Sequence, residues 1–182
     1  MANLSVIEKL KKEISDIETG GSVSTSRSEH SRRELDSDAF SKIVALVNVS
    51  DRSEKMLRER LSREGFGEEE IDEAINRAKR CGIIDDLRYA DVLIRSRLNQ
   101  GRGAVGIERE LGTHGIDVGQ VAGWPFAFGI DDESERQRAH AFLEAHPSRS
   151  KNRREGAYRK LIQKGYSSAV AASVARMLTE SL

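Results

Sequence analysis

Residues 101–106 read GRGAVG, the spacing G-x-G-x-x-G with which a tight turn cradles a dinucleotide pyrophosphate. That chemistry needs a strand before the first glycine, a helix after the last and an acid about 20 residues further on. The preceding DDLRYADVLIRSRLNQ has a helical pattern, and the position of the acid falls in a Gly-rich stretch. The dinucleotide reading fails on this context, and Gly101 and Gly103 are expected to turn the chain between two helices. His140 and Glu144 stand one helical turn apart and would offer a metal two ligands, with His146 off that face. The acid pairs Asp85–Asp86 and Asp131–Asp132 suggest general acid–base work, but each opens a helical segment, where capping accounts for them. Cys81 has no histidine partner in view, and no G-x-S-x-G occurs. These residues predict no catalytic group, no cofactor and no metal.

Charge placement says more. Arg88, Asp91 and Arg95 mark the polar face of one helical segment whose buried face carries Ala90, Leu93 and Ile94; Arg97 lies at its edge. Arg102 and Arg109 follow around the corner, and SRSKNRR further on supplies Arg149, Lys151, Arg153 and Arg154 with no acid among them. A solvated charge face explains any one of these. As a group they suit an acidic protein surface or phosphates. Lys plus Arg and Asp plus Glu both number 30, which argues against a protein held on nucleic acid mainly by counterion release.

Charged residues make up 33% and aromatics 5% of the 182 residues, with two prolines, so helices with small apolar seams are expected. A single cysteine excludes an internal disulfide and suggests a reducing compartment. No apolar run reaches the ~18 residues that span a membrane. MANLSVIEKLKKEISDIETGG lacks the apolar core of a signal peptide. A cytoplasmic, monomeric chain with no membrane partner is the expectation.

The elements that must position these charges recur. LSREGF at 61–66, LGTHGI at 111–116 and LIQKGY at 161–166 share L-x-x-x-G-apolar at intervals of 50. The pattern is a helix stop: Gly65, Gly115 and Gly165 take the left-handed conformation, and Phe66, Ile116 and Tyr166 fold back on the leucine. Met56, Leu57 and Leu61 form the seam of the first copy, Ile107 and Leu111 that of the second, and Ala157, Tyr158 and Leu161 that of the third. Helices are also expected at 39–48, 86–99 and 133–146. Third helices would follow, with Ile71, Ala74, Ile75 and Ala78 on one face in the first copy and Val170, Val174, Met177 and Leu178 in the third.

Asp51 and Glu54 have the spacing of a capping box before the first middle helix. In the second copy DVGQVAGWPFAFGIDD should shorten the third helix, because glycine costs a helix about 1 kcal/mol and proline about 3. Trp124, Phe126 and Phe128 are expected to plug a bend there; an exposed aromatic contact site is the alternative.

The chain is therefore expected to be all-α, an elongated array of three tandem three-helix repeats at 38–84, 85–130 and 131–182. Before them, 1–37 combines an amphipathic helix (Leu4, Ile7, Leu10, Ile14, Ile17) with the Ser/Gly-rich linker GGSVSTSRSEHS. That helix docks on the body or a partner, or frays in solution.

IIDDLRYADVLIRSRLNQGRGAVGIERELGTHGI resembles the central repeat of the RecX regulatory proteins. The matching residues are Asp85, Asp86, Arg88, Tyr89, Arg97, Gly101, Gly103, Ile107, Glu110, Leu111, Gly115 and Ile116. VSDRSEKMLRERLSREGF is similar to the family's first repeat and RREGAYRKLIQKGY, more loosely, to the third, so the likeness covers about 39–182. The resemblance implies a non-enzymatic protein that binds the RecA recombinase filament on DNA. It also implies inhibition of the filament's ATPase, strand-exchange and repressor-cleavage (coprotease) activities, with consequences for recombination, repair and the SOS response. Arg88, Arg95, Arg97, Arg102, Arg109, Arg149, Lys151, Arg153 and Arg154 are the residues expected to meet filament or phosphate, on charge and exposure rather than on the resemblance. DNA, single-stranded or duplex, would be bound weakly or through RecA. The alternative is a direct DNA-binding protein using its helix–turn–helix corners.

Overall fold

A computed structural model describes residues 38–180, and the expected N-terminal helix and linker lie outside them. Among the described residues every regular element is helical: α1 (Ala39–Val49), α2 (Glu54–Glu64), α3 (Glu68–Arg80), α4 (Asp86–Asn99), α5 (Ala104–Thr113), α6 (Asp132–Ala145), α7 (Arg153–Lys164) and α8 (Ser168–Glu180). Two 3₁₀ turns, Val118–Gln120 and Phe126–Phe128, stand between α5 and α6.

The helices sort into modules by their cores. α1–α3 enclose Ile43, Leu57, Leu61, Ile71 and Ile75; α4, α5 and the turns enclose Leu93, Ile94, Ile107, Leu111 and Val121; α6–α8 enclose Leu143, Leu161, Tyr166, Val170 and Val174. Leu57, Leu61, Ile107, Leu111 and Leu161 are fully buried. Each such side chain contributes about 1.5–3 kcal/mol. Met177 departs from the expected third-module seam. It is 45% exposed, and Ala171 and Ala175 fill the contact instead.

The three helix stops share one construction. Gly65, Gly115 and Gly165 have φ of 93°, 80° and 92°. The amides of Phe66, Ile116 and Tyr166 donate to the carbonyls of Leu61, Leu111 and Leu161, and the glycine amides to Ser62, Gly112 and Ile162. These are the two bonds of a Schellman motif.

Three expectations are corrected. Ser53, not Asp51, caps α2: its hydroxyl accepts from the Met56 amide at 3.4 Å, and its side chain is fully buried. Asp51 lies two residues too early and stays exposed. In place of a shortened third helix in the second module there are only the 3₁₀ turns. Gly123 and Gly129 take φ of 74° and 65°, which no helix propagates through. Trp124 and Phe128 do pack on the core, with ring centroids 5.9 Å apart and the indole N–H donating to Glu108 at 3.1 Å. Phe126 does not: it is 78% exposed.

Candidate functional site

Several motif residues of the second module serve as structural wiring. Asp85 caps α4, accepting from the Leu87 and Arg88 amides at 3.0 and 2.9 Å. Arg97 on α4 grips Glu110 on α5: Nε lies 3.0 Å from both carboxylate oxygens and Nη2 2.6 Å from Oε1. Arg102 closes the group from the turn, its Nη1 3.0 Å from Glu110 Oε2. The Glu110 side chain is only 14% exposed. The Arg97 hydrogen bonds hold its carboxyl below the usual range against the opposing effect of burial, and the same bonds raise Arg97.

The glycines of GRGAVG divide their work. Gly101, with φ 70°, makes the turn. Gly103 has an ordinary φ of −77° and serves instead as N-cap of α5. A Cβ on Gly103 would lie 2.5 Å from the Gly165 carbonyl oxygen and from Tyr166 backbone atoms; on Gly106 it would lie 2.8 Å from Gly165 Cα. The expectation that Gly103 shapes the turn is replaced by close backbone approach, as the chain crosses the stop of α7. The Gly106 amide donates to the Gly165 carbonyl at 2.8 Å and the Gly103 amide to that of Lys164 at 3.3 Å. Tyr166 Oη donates to the Gly101 carbonyl at 2.9 Å, and burial pushes its phenol up to about 12.

The first and second modules meet by the same scheme. The Ser53 hydroxyl donates to the His114 carbonyl at 2.8 Å, where the third module has Lys164 and the second Gly103. Asp86 accepts from the Glu54 amide at 2.8 Å, as the buried Glu135 accepts from the Ala104 amide at 2.9 Å. In each junction the middle helix presents its first turn to the glycine stop and first helix of the next module. Tyr89 Oη adds a contact of 3.0 Å to His114 Nδ1. Arg138, beside Glu135, donates from Nη1 to the Gly129 carbonyl at 3.1 Å. Sequence reasoning missed Ser53, His114, Glu135 and Arg138, because their partners are 31–61 residues away or lie in the Gly-rich break.

The expected contact residues fall into two groups. Arg97 and Arg102 are committed to Glu110, and Arg95 forms a two-pronged pair with Asp91 at 2.9 and 3.0 Å. Arg88 reaches only the Gly82 and Ile83 carbonyls, both at 3.4 Å. Arg109, Arg149, Lys151, Arg153 and Arg154 are exposed, and no carboxylate among the described residues pairs with them. Arg153 and Arg154 occupy the first turn of α7, behind the Asn152 cap. His140 Nδ1 lies 3.5 Å from Glu144 Oε2, and no third ligand joins them: among the described residues no three His, Cys, Asp or Glu converge. No described helix is long and apolar enough to cross a membrane.

The fold and these junctions define an all-helical protein of stacked helical modules, consecutive ones locked together at a glycine stop. Residues 39–77 match the family RecX, first three-helix domain, and residues 85–121 match RecX, second three-helix domain. Relatives include Regulatory protein RecX of Stenotrophomonas maltophilia (strain K279a), 32% identical over 91 residues, covering 50% of this chain and 56% of the relative. Regulatory protein RecX of Oceanobacillus iheyensis is 27% identical over 146 residues, covering 77% and 53%. The chain thus spans about half the length of the curated relatives it matches. The crystal structure of RecX from Lactobacillus salivarius superposes with a TM-score of 0.62 at 20% identity, over 81% of this chain and 98% of that one, a likeness of fold. The two domain matches, the RecX relatives and the shared fold together support a RecX family protein.

Proposed function

We propose that this protein is a non-enzymatic regulator that binds the RecA filament on DNA and inhibits its ATPase, strand-exchange and coprotease activities. The modules at 38–84, 85–130 and 131–182 act as the rigid frame, and their exposed cations make the contact. One observation carries this reading. Of the family signature, Asp85 is spent as a cap, Asp86 and Gly103 on the junctions, and Arg97 with Glu110 on the ion group that Arg102 joins, while Arg109, Arg149, Lys151, Arg153 and Arg154 stand on the surface with no carboxylate of the described residues to neutralise them. Cations held out of internal pairs on a chain of zero formal charge suit a partner that is itself anionic, such as an acidic protein surface or phosphate.

The test is the DNA-dependent ATPase of the cognate RecA, titrated with this protein. Inhibition well below one protein per RecA supports control of filament growth. No inhibition, together with tight and steeply salt-dependent binding to DNA alone, supports a direct DNA-binding protein instead.

A further inference from the structure

The segment joining α6 to α7 folds back over α7 and leaves a cleft of about 660 Å³ beside it. Arg149, Arg159 and Lys160 line it with the hydroxyl-bearing Ser148 and Ser150, and no carboxylate residue is part of the lining. The cleft is a built feature. Lys160 Nζ is pinned to the His146 carbonyl at 2.6 Å, and Asn152 caps α7 by accepting from the Glu155 amide at 3.1 Å. Ser148 and Ser150 sit so close to Gly156 that a Cβ there would collide with both side chains. Arg159 has an exposed partner, Glu155, at 2.6 Å, a pair of the sort that exchanges readily for another anion.

We infer that this cleft takes phosphate groups of a nucleic-acid backbone, with Arg149 and Arg159 as the mobile donors and Ser148, Ser150 and Lys160 as the fixed ones. The inference rests on the proposed function only in assigning the third module's cations to an anionic partner. Phosphate is favoured over protein carboxylates by the mixture of donors. Hydroxyls and an ammonium approach from different directions, as a tetrahedral anion requires, where a planar carboxylate asks only for an arginine fork. A volume of this size also admits the sugar attached to a phosphate.

The experiment is a fluorescence-anisotropy titration of the full chain with a labelled oligothymidylate across a salt series. The double variant Arg149→Ala/Arg159→Ala is compared with wild type and with Arg80→Ala as a control outside the cleft. Binding by wild type is expected, weakened severalfold in the double variant, with the slope of log affinity against log salt falling by about 1.4 for two lost contacts. The control is expected to match wild type. No binding by wild type, or equal affinity and slope in the double variant, overturns the inference. A second arm follows the Ser148–Ser150 amides by NMR. Shifts with inorganic phosphate but none with the oligonucleotide would assign the cleft to free phosphate and also overturn it. Because RecA is absent from both arms, wild type that binds DNA through the cleft yet leaves the RecA ATPase unaffected would remove the regulator reading alone.

Discussion

The Gly106 amide donates to the Gly165 carbonyl at 2.8 Å, across a contact in which a Cβ on Gly165 would strike Gly106 Cα. Two backbones from consecutive modules touch here with no side chain between them. Gly106→Ala places its Cβ 2.8 Å from Gly165 Cα, and backbone has little room to yield. A loss of about 1–3 kcal/mol is expected in urea unfolding. Gly112→Ala is the contrasting case, since nothing lies within 4 Å of its Cβ and its φ is not positive. There a gain of about 0.4–1 kcal/mol is expected.

Ser53→Ala removes two bonds at once, the cap on α2 and the link to the His114 carbonyl. With the site fully buried, about 1–3 kcal/mol should be lost. Asp51→Ala, at the residue whose spacing suggested the cap, should change the melting temperature little.

Glu110 ties acid stability to the second module. Its folded-state pKa is lowered by Arg97, so its contribution is complete above the unfolded carboxylate value of about 4.3. It fades as pH falls through the depressed folded value. Arg97→Ala leaves a largely buried carboxylate with Arg102 as its remaining partner and should cost about 1–3 kcal/mol at neutral pH. Glu110→Gln should flatten the acid limb of the stability curve, read by circular dichroism across pH.

Tyr166 does the reverse at high pH. Burial raises its phenol to about 12, against about 10 in an unfolded chain. Its stabilisation is therefore complete below about pH 10 and is lost as pH climbs toward 12. Burial raises Tyr89 as well, so in tyrosinate absorbance two of the three tyrosines should ionise late, the component nearest 12 belonging to Tyr166 and accompanying alkaline unfolding. Tyr166→Phe should remove that late component and weaken the junction by about 1 kcal/mol through the lost bond to Gly101.

Much of this architecture is legible in the sequence because it is local. A left-handed glycine four residues after a leucine, followed by an apolar residue, is a helix stop wherever it occurs, and the interval of 50 reveals the repetition. Asp85, Asp131 and the fully buried leucines follow from the same short-range rules. What escaped is long-range or depends on which of two neighbouring polar residues turns inward. Ser53 wins over Asp51 because its hydroxyl is small enough to be buried and has a second partner in His114. Gly103 looks like a turn residue until the α7 stop lies across it and Gly106. Phe126 could not be told from Trp124 and Phe128 by type; only the turn's geometry aims it outward. The cations are visible one by one, but which are consumed by Glu110 and Asp91 requires the fold.

The central claim is that the signature residues hold the modules together while the unpaired cations meet the partner. The most direct measurement is the ATPase of the cognate RecA on single-stranded DNA, titrated with wild type and with Arg149→Glu/Lys151→Glu/Arg153→Glu/Arg154→Glu. Melting curves of both proteins are recorded beside it. The account predicts that wild type inhibits below one protein per RecA and that the variant melts as wild type does but no longer inhibits. Equal inhibition by a stably folded variant, or none by wild type, would contradict it.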